Sequence, residues 1–221
     1  EEIDALYASR SMRVTAPLRR VRHHLDRARK SWNAWRRSRQ PQPSLPVARA
    51  EQTGPDGPVD VIVPVYKGLE ETRACLESVW ASRPQRPYRL VVVNDASPDP
   101  ALTSWLRQAA DHSPMMLLEN SENLGFVGTV NRGMGLSGSA DVVLLNSDAE
   151  VNGNWLDRLV AAAYSPTERP VASVTPFSNN ATICSYPRFC ADNVLPEGYD
   201  LHRLDRLFAE CNPGATVEIP T

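Results

Sequence analysis

From residue 59 onward, short apolar runs alternate with stretches in which apolar residues recur at helical spacing. The runs are continuously apolar, which is typical of strands buried on both faces of a parallel sheet. Strands are predicted at 59–65, 88–94, 115–119, 141–146 and 170–175, and helices at 69–80, 97–111, 124–136 and 154–164. This order predicts an α/β fold in which right-handed crossovers place helices on both faces of a mostly parallel sheet.

Polar residues and glycines follow four of the predicted strands, in the segments 64–68, 94–98, 120–128 and 146–150. Ligands of parallel sheets bind outside the carboxyl ends of the strands. The sequence therefore predicts a ligand cleft at that edge of the sheet, and its candidate residues lie in these four segments.

The first two segments each leave two interpretations open. Tyr66 lies beside a bound base, or it is simply a half-buried aromatic residue. In the second segment, Ser97 is predicted to cap the next helix, with Pro98 at its first position and Asp99 near its positive end. Asp95 is not needed for that cap, so it is either a turn residue or a contact to a base N–H or a ribose hydroxyl.

The third segment opens a helix with small residues, and free backbone N–H groups at a helix start are suited to binding phosphate. Gly125 and Gly128 are equally suited to close packing of the helix against the sheet, so both interpretations remain open. Asn131 is expected on the inner side of the same helix.

The fourth segment contains Asn146, Ser147 and Asp148 directly after a buried strand. Oxygen-bearing side chains are costly at such a position unless something binds there. Hard cations such as Mg²⁺ or Mn²⁺ take carboxylates, substrate phosphates and water as ligands. Asp148 is the first choice for a metal ligand and Asn146 is a neutral second contact, whereas Glu150 either faces solvent or caps the next helix.

Charge divides the 221 residues into unequal parts. Residues 1–39 carry 11 Lys and Arg against 4 Asp and Glu, although the whole chain has a formal net charge of −2. This basic segment is predicted as a helical extension. A proline-rich linker at 40–58 separates it from the domain at 59–221.

Three roles are open for the basic segment: a solvated interdomain helix, attachment to an anionic membrane surface, and nucleic-acid binding. Its arginines lack aromatic interleaving and match no nucleic-acid motif, so no nucleic-acid partner is expected. The sequence has no apolar run of membrane-spanning length and no signal-peptide core. A cytoplasmic location is therefore expected, with a peripheral position at the inner face of the membrane as the alternative.

Four motifs together resemble family-2 glycosyltransferases of the GT-A fold, bacterial enzymes that build surface polysaccharides. The motifs are VIVPVY at 61–66, VVVNDAS at 91–97, NLGF at 123–126 with Asn131, and LLNSD at 144–148. Each motif is common, but their order and spacing are specific. The resemblance runs from 59 to about 221 and implies a Rossmann-like nucleotide-diphospho-sugar transferase domain, preceded here by the basic helix.

The resemblance also implies which residues bind the nucleotide-sugar donor. They lie in all four motifs: Pro64, Val65, Tyr66, Asp95, Asn123, Gly125, Asn131, Asn146, Ser147 and Asp148. The D-x-D motif, which binds a divalent metal and the donor diphosphate, falls on Asn146-Ser147-Asp148, with Asp148 as the metal ligand. Asn146 gives this site one carboxylate fewer than the fuller motif, as in rhamnosyltransferase-like members, and Lys67 stands where the family often has Asn.

The reaction implied by the resemblance is transfer of a sugar from a nucleotide-diphosphate sugar to a glycan or lipid-linked acceptor, with inversion and with Mn²⁺ or Mg²⁺ as cofactor. The family's acidic general base is expected beyond Thr221, so no catalytic residue is assigned, and a fragment of a longer enzyme is expected. The alternative is a non-catalytic module that binds nucleotide-sugars. Asp157, interpreted as the exposed face of a helix, and Asp192 are not nominated as the base. The loop at 178–182 either lines the cleft or is a polar surface loop.

Overall fold

The structure, a computed structural model, describes residues 54–167, 171–181, 184–188 and 190–217. All of them belong to one compact unit, Glu51–Thr221. The basic segment predicted at 1–39 and the linker up to residue 53 lie outside the described residues. Within the described ranges, no helix combines the length and the apolar character needed to cross a bilayer.

The described residues contain a regular alternation of strands and helices. The strands are β1 (Val59–Val65), β2 (Tyr88–Asn94), β3 (Met116–Glu119) and β4 (Asp141–Leu144). The helices are α1 (Leu69–Ala81), α2 (Pro100–His112), α3 (Gly125–Met134), α4 (Trp155–Ala163) and α5 (Leu201–Cys211). The first four predicted strands and the four predicted helices are confirmed to within three residues, whereas α5 is not predicted.

The four strands form one parallel sheet in the order β3-β2-β1-β4. β1 pairs with β2 over its whole length, and its first four residues pair with β4 up to Ile62↔Leu144. The N–H of Leu145 donates to Ile62 O at 3.0 Å, so pairing continues one residue past β4. The carboxyl ends of β1 and β4 therefore lie side by side, and the predicted parallel α/β architecture is confirmed.

Helices cover both faces of this sheet because successive side chains of a strand point to opposite sides. Val61 and Val63 belong to an apolar cluster with residues of α1, α2 and α4. Ile62 points the other way, into a smaller cluster with Val91 and Val93 under α3. Each fully buried side chain of this kind contributes about 1.5–3 kcal/mol. The strand ends are thus fixed from both sides.

Gly133 allows α3 to lie close to the sheet. A Cβ at this position would lie 2.7 Å from Ile62 Cγ2 and 3.5 Å from Val93 Cγ2, and both residues are fully buried. We expect Gly133→Ala to lower the free energy of unfolding by about 1–3 kcal/mol, because an overpacked core has to shift. Urea unfolding measures this loss. Gly135→Ala is the matched control, since its Cβ would lie 3.4 Å from the nearest atoms, and equal midpoints for both variants would contradict the close packing.

The fifth strand predicted at 170–175 is not formed by residues 171–175, so that prediction is wrong for this range. A strand requires a neighbour whose N–H and C=O groups complete its ladder. No described strand pairs with these residues, and the next backbone bridges join Ser178 to Ser185 and Asn180 to Asp192.

The start of α2 also differs from the prediction, since its cap is Asp99 and its first residue is Pro100. Oδ1 of Asp99 accepts hydrogen bonds from the N–H groups of Ala101 and Leu102 at 2.9 and 3.4 Å. Ser97 is instead part of the preceding turn, where its N–H donates to Asn94 Oδ1 at 3.0 Å. The predicted cap at Ser97 with Pro98 is therefore two residues too early.

Candidate functional site

An open cleft of about 360 Å³ lies at the carboxyl ends of β1 and β4. It is lined by Pro64, Phe126, Asn146, Ser147 and Asp148. Asn146 and Asp148 are exposed and Ser147 is half-buried. The structure thus joins the first and fourth predicted segments, about eighty residues apart in sequence, because their strands are neighbours.

Two hydrogen bonds join α1 to the turn that carries Asn146 and Asp148 and to the residues after it. The Cys75 thiol donates to Asn146 O at 3.4 Å, and Ser78 Oγ accepts from the N–H of Val151 at 3.0 Å. Burial raises the pKa of Cys75 to about 12, and the nearby charges of Asp148 and Glu150 act in the same direction. The thiol therefore stays protonated at neutral pH and remains a hydrogen-bond donor to the turn.

Asp95 is almost completely buried, with 4% of its surface exposed, and it does not line the cleft. Its Oδ1 accepts hydrogen bonds from Asn120 Nδ2 at 2.6 Å and from the N–H of Leu124 at 2.8 Å. Burial acts to raise the pKa of Asp95, but these hydrogen bonds outweigh it, and the pKa is lowered. The carboxylate is therefore ionised at neutral pH and tied to the loop after β3.

That loop turns sharply before α3. Asn123 Oδ1 accepts from the N–H of Gly125 at 2.8 Å, and Gly125 has a φ of 70°, a region that favours glycine. The N-cap residue of α3, Leu124, makes no capping hydrogen bond with its own side chain. The turn brings Phe126, which is 58% exposed, to the wall of the cleft. Phe126 lies in the NLGF motif but is not among the predicted binding residues. Its signal in the sequence is its position as an aromatic residue directly after the turn glycine.

A buried polar network around Asn120 was also missed by sequence reasoning. Asn120 Nδ2 donates to Thr129 Oγ1 at 3.1 Å as well as to Asp95. Its Oδ1 accepts from Arg132 Nη1, which also donates to Glu119 O at 2.7 Å. The available signal is the position of Asn120 directly after a strand, as for Asp95 and Asn146.

Five further predicted residues do not line the cleft: Val65, Tyr66, Asn123, Gly125 and Asn131. Val65 is buried in the core, where its backbone O accepts from the N–H of Asp95 at 2.7 Å. Tyr66 is 40% exposed, and Lys67 Nζ lies 5.4 Å from the centroid of its ring. Asn131 is on the exposed side of α3, whose buried residues are Thr129, Val130 and Gly133. The expectation that Asn131 faces inward is therefore wrong, because the helix turns its small residues to the sheet.

No group of three or more His, Cys, Asp or Glu side chains in the described part of the chain is arranged to hold a metal ion. Asp148 supplies the carboxylate in the lining of the cleft, and Asn146 supplies an amide oxygen.

Comparison with models of known protein families identifies the family of the chain. Residues 60–198, more than half of the chain, match the model of the family described as Glycosyl transferase family 2. The chain belongs to glycosyl transferase family 2. The GT-A fold expected from the four motifs follows from this membership together with the parallel sheet.

Individual glycosyltransferases resemble the chain over shorter stretches. Glycosyltransferase AglE from Haloferax volcanii is 28% identical over 104 residues, which cover 47% of this chain and 34% of AglE. Mannosyltransferase PcManGT from Pyrobaculum calidifontis, solved with GDP-Man and Mn²⁺, has a TM-score of 0.40 and 24% identity over 66% of this chain and 40% of its own. S. aureus TarS 1–349 has a TM-score of 0.36 and 23% identity, with coverages of 42% and 28%.

Each of these similarities covers only part of the similar protein. The chain spans about a third of the length of AglE and less than half of either solved chain. Because the structural similarities are low, the family assignment depends on the family model.

Two other predictions concern residues of this family member outside the cleft. Asp157 is not an exposed helix residue as predicted, because its carboxylate accepts from the N–H of Gln85 at 2.8 Å and pairs with Arg86 at 3.4 Å. In the loop at 178–182, Ser178 bonds to the backbone of Cys184 and Tyr186, and Asn179 bonds to that of Asn193. Neither Ser178 nor Asn179 lines the cleft. Residue 182 of that loop lies outside the described residues.

Proposed function

We propose that the chain is the donor-binding part of an inverting, metal-dependent glycosyltransferase. It would bind a nucleotide-diphosphate sugar for transfer to a glycan or lipid-linked acceptor. The observation that carries the proposal is the cleft between Pro64, Phe126 and the 146–148 turn. It lies at the carboxyl ends of parallel strands, where ligands of such sheets bind, in a chain that belongs to a glycosyltransferase family.

The donor groups at the cleft fit a divalent metal held jointly with a diphosphate. Mg²⁺ is commonly bound by one or two carboxylates together with substrate phosphates and water, without a full cage of protein ligands. Asp148 would be the charged ligand, and Asn146 would provide a neutral oxygen. Both side chains are exposed and free to meet a ligand. When bound, Mn²⁺ or Mg²⁺ would neutralise charge on the departing diphosphate.

We assign the remaining contacts to the sugar donor from the positions of residues around the cleft. The phosphates lie next to Ser147 and the start of α3, where Asn123 and Gly125 shape the turn and the N-cap residue Leu124 provides no side-chain cap. The nucleotide extends from Pro64 toward Tyr66, which is partly exposed.

The proposed transfer forms one bond at the anomeric carbon and breaks another. The acceptor oxygen attacks from the side opposite the diphosphate and forms the new C–O bond. The nucleoside diphosphate departs with the electrons of the old C–O bond, and a carboxylate base takes the hydroxyl proton. We assign no described residue to the base. Asp157 does not line the cleft, and its carboxylate accepts from the backbone N–H groups of Gln85 and Arg86.

A panel of donors tests this function. We expect one of UDP, GDP or dTDP to bind the protein with Mn²⁺, and the matching nucleotide-sugar to be hydrolysed slowly or transferred when an acceptor is present. Calorimetry measures the binding, and release of the nucleoside diphosphate measures the turnover. Binding without turnover would favour a non-catalytic nucleotide-sugar module. Absence of binding to every nucleotide, by a protein that melts cooperatively, would contradict the donor site.

A further inference from the structure

Asn120 occupies the centre of a buried network that joins the ends of β2 and β3 to α3. Only 7% of its surface is exposed. Its two amide N–H groups donate to Asp95 Oδ1 and Thr129 Oγ1, and its amide oxygen accepts from Arg132. Its backbone N–H donates to Asn94 O at 2.8 Å. The orientation of this side chain is therefore fixed on every side by a partner of the matching type.

The same network determines where the wall of the cleft lies. Asp95 Oδ1 accepts from Asn120 and from the N–H of Leu124, so one carboxylate oxygen holds both ends of the 120–124 loop. Gly125 and Phe126 follow directly, and Phe126 lines the cleft. A shift of the Asn120 amide would move Leu124 and, with it, the aromatic wall. An amide is required at 120, because a carboxylate there would face the ionised Asp95.

We propose that Asn120 is a positioning residue for the sugar donor, which acts through Asp95 and Leu124 to place Phe126 against the bound nucleoside diphosphate. It makes no contact with the donor itself, since it is buried behind the loop. This proposal rests on the donor site proposed above, but the network is a property of the free protein and is testable without a ligand.

The first test exchanges the amide for a carboxylate. Asn120→Asp places an oxygen where Nδ2 lies 2.6 Å from Asp95 Oδ1, so the two charges repel and the loop is released. We expect binding of the best nucleoside diphosphate of UDP, GDP and dTDP, with Mn²⁺, to weaken at least about tenfold. Titrations well below the melting temperature ensure that only folded protein is measured. A purely structural role would lower the melting temperature and leave the Kd of the folded protein unchanged.

A double variant provides the rescue. In Asp95→Asn with Asn120→Asp, one carboxylate and one amide face each other again, with their positions exchanged. We expect hydrogen exchange of amides 121–127 in the free protein, which is faster in Asn120→Asp, to return most of the way to that of the unchanged protein. A folded double variant whose amides 121–127 exchange as fast as those of Asn120→Asp would overturn the proposal, because the pair of side chains would then not hold the loop.

If the buried charge of Asn120→Asp prevents folding, a second pair of variants tests the proposal without introducing a buried charge. Arg132 and Arg107 are both exposed, and both bond to Glu119, Arg132 to its backbone oxygen and Arg107 to its side chain. Only Arg132 also reaches Asn120. Arg132→Met is expected to weaken nucleoside diphosphate binding severalfold, whereas the matched control Arg107→Met leaves it unchanged. Equal Kd values for the two variants would overturn the proposal.

Hydrogen exchange separates a failure of this proposal from a failure of the donor site. In the free protein, amides 121–127 are expected to exchange faster in Arg132→Met than in Arg107→Met. If no nucleoside diphosphate binds the unchanged protein, the proposed function fails. Unchanged exchange at 121–127 would overturn the positioning network whether or not a nucleotide binds.

Discussion

Replacing Asp148 with alanine is expected to abolish the Mn²⁺-dependent part of nucleoside diphosphate binding. The carboxylate is the charged side chain in the lining of the cleft, and Asn146 alone gives a neutral contact. A ligand at a hundred times its Kd stabilises the native state by about 2.7 kcal/mol. For a unit of this size, that corresponds to a melting-temperature increase of about 5–10 °C. Thermal melts with nucleotide, with and without Mn²⁺, should show this increase in the unchanged protein and lose it in Asp148→Ala.

The control for this experiment is Asp192→Ala, which removes an exposed carboxylate that does not line the cleft. It changes the net charge by the same amount and should retain the full Mn²⁺-dependent shift. Since Asp148 is exposed, its replacement is not expected to alter the melting temperature of the free protein. An undiminished shift in Asp148→Ala would contradict the metal assignment.

Replacing Arg89 with methionine is expected to destabilise the fold by about 2 kcal/mol. Arg89 makes two hydrogen bonds to Asp60, from Nε at 2.9 Å and from Nη2 at 2.6 Å, and Nη2 also donates to Leu136 O at 2.9 Å. Asp60 lies on β1 and is 3% exposed, so loss of Arg89 leaves a buried carboxylate without its charged partner. Urea unfolding at pH 7 measures the effect.

The same variant has a defined pH dependence. Burial acts to raise the pKa of Asp60, but hydrogen bonding by the side chains of Arg89 and Ser137, together with the charge of Arg89, outweighs it and lowers the pKa below its ordinary value of 3.8. Stability from such a carboxylate is present above its ordinary pKa and is lost as the pH falls through the folded value. Without Arg89, burial should raise the pKa instead, so the variant loses stability as the pH rises. The difference between the two proteins should thus be largest at pH 7 and shrink as the pH falls toward 4.

Arg107→Met is the control here too, because Arg107 is 63% exposed and pairs with Glu119 at the surface. Exposed pairs contribute little, so a loss below about 1 kcal/mol is expected. A pH-independent difference between the unchanged protein and Arg89→Met would show that packing, and not the charge pair, carries the effect.

The sheet could be predicted from the sequence because its apolar runs are distinctive. The bounds of β1 and β2 are as predicted, since each run is flanked by polar or proline residues. The strand predicted at 170–175 is not formed by residues 171–175. Its residues have suitable side chains, but a strand exists only with a partner, and the partner is not encoded within the segment itself.

Individual residues of the candidate site could be predicted from the sequence, but their arrangement around one cleft could not. The 146–148 turn and Pro64 could be found as polar or special residues at strand ends, whereas their joining depends on the neighbouring positions of β1 and β4. The Asp95 carboxylate bonds to the protein itself because the 120–124 loop folds back over the end of β2. A local sequence pattern does not specify that contact. Phe126 enters the cleft only because Gly125 turns the chain.

In the proposed function, a donor diphosphate and a divalent metal meet at the 146–148 turn. Crystals grown with Mn²⁺ and the nucleoside diphosphate that binds best, measured at the manganese absorption edge, locate both ligands. We expect an anomalous peak within bonding distance of the Asp148 carboxylate and of the diphosphate, in the cleft beside Pro64 and Phe126. A bound nucleotide elsewhere on the protein, or a manganese peak with no contact to Asp148, would contradict it.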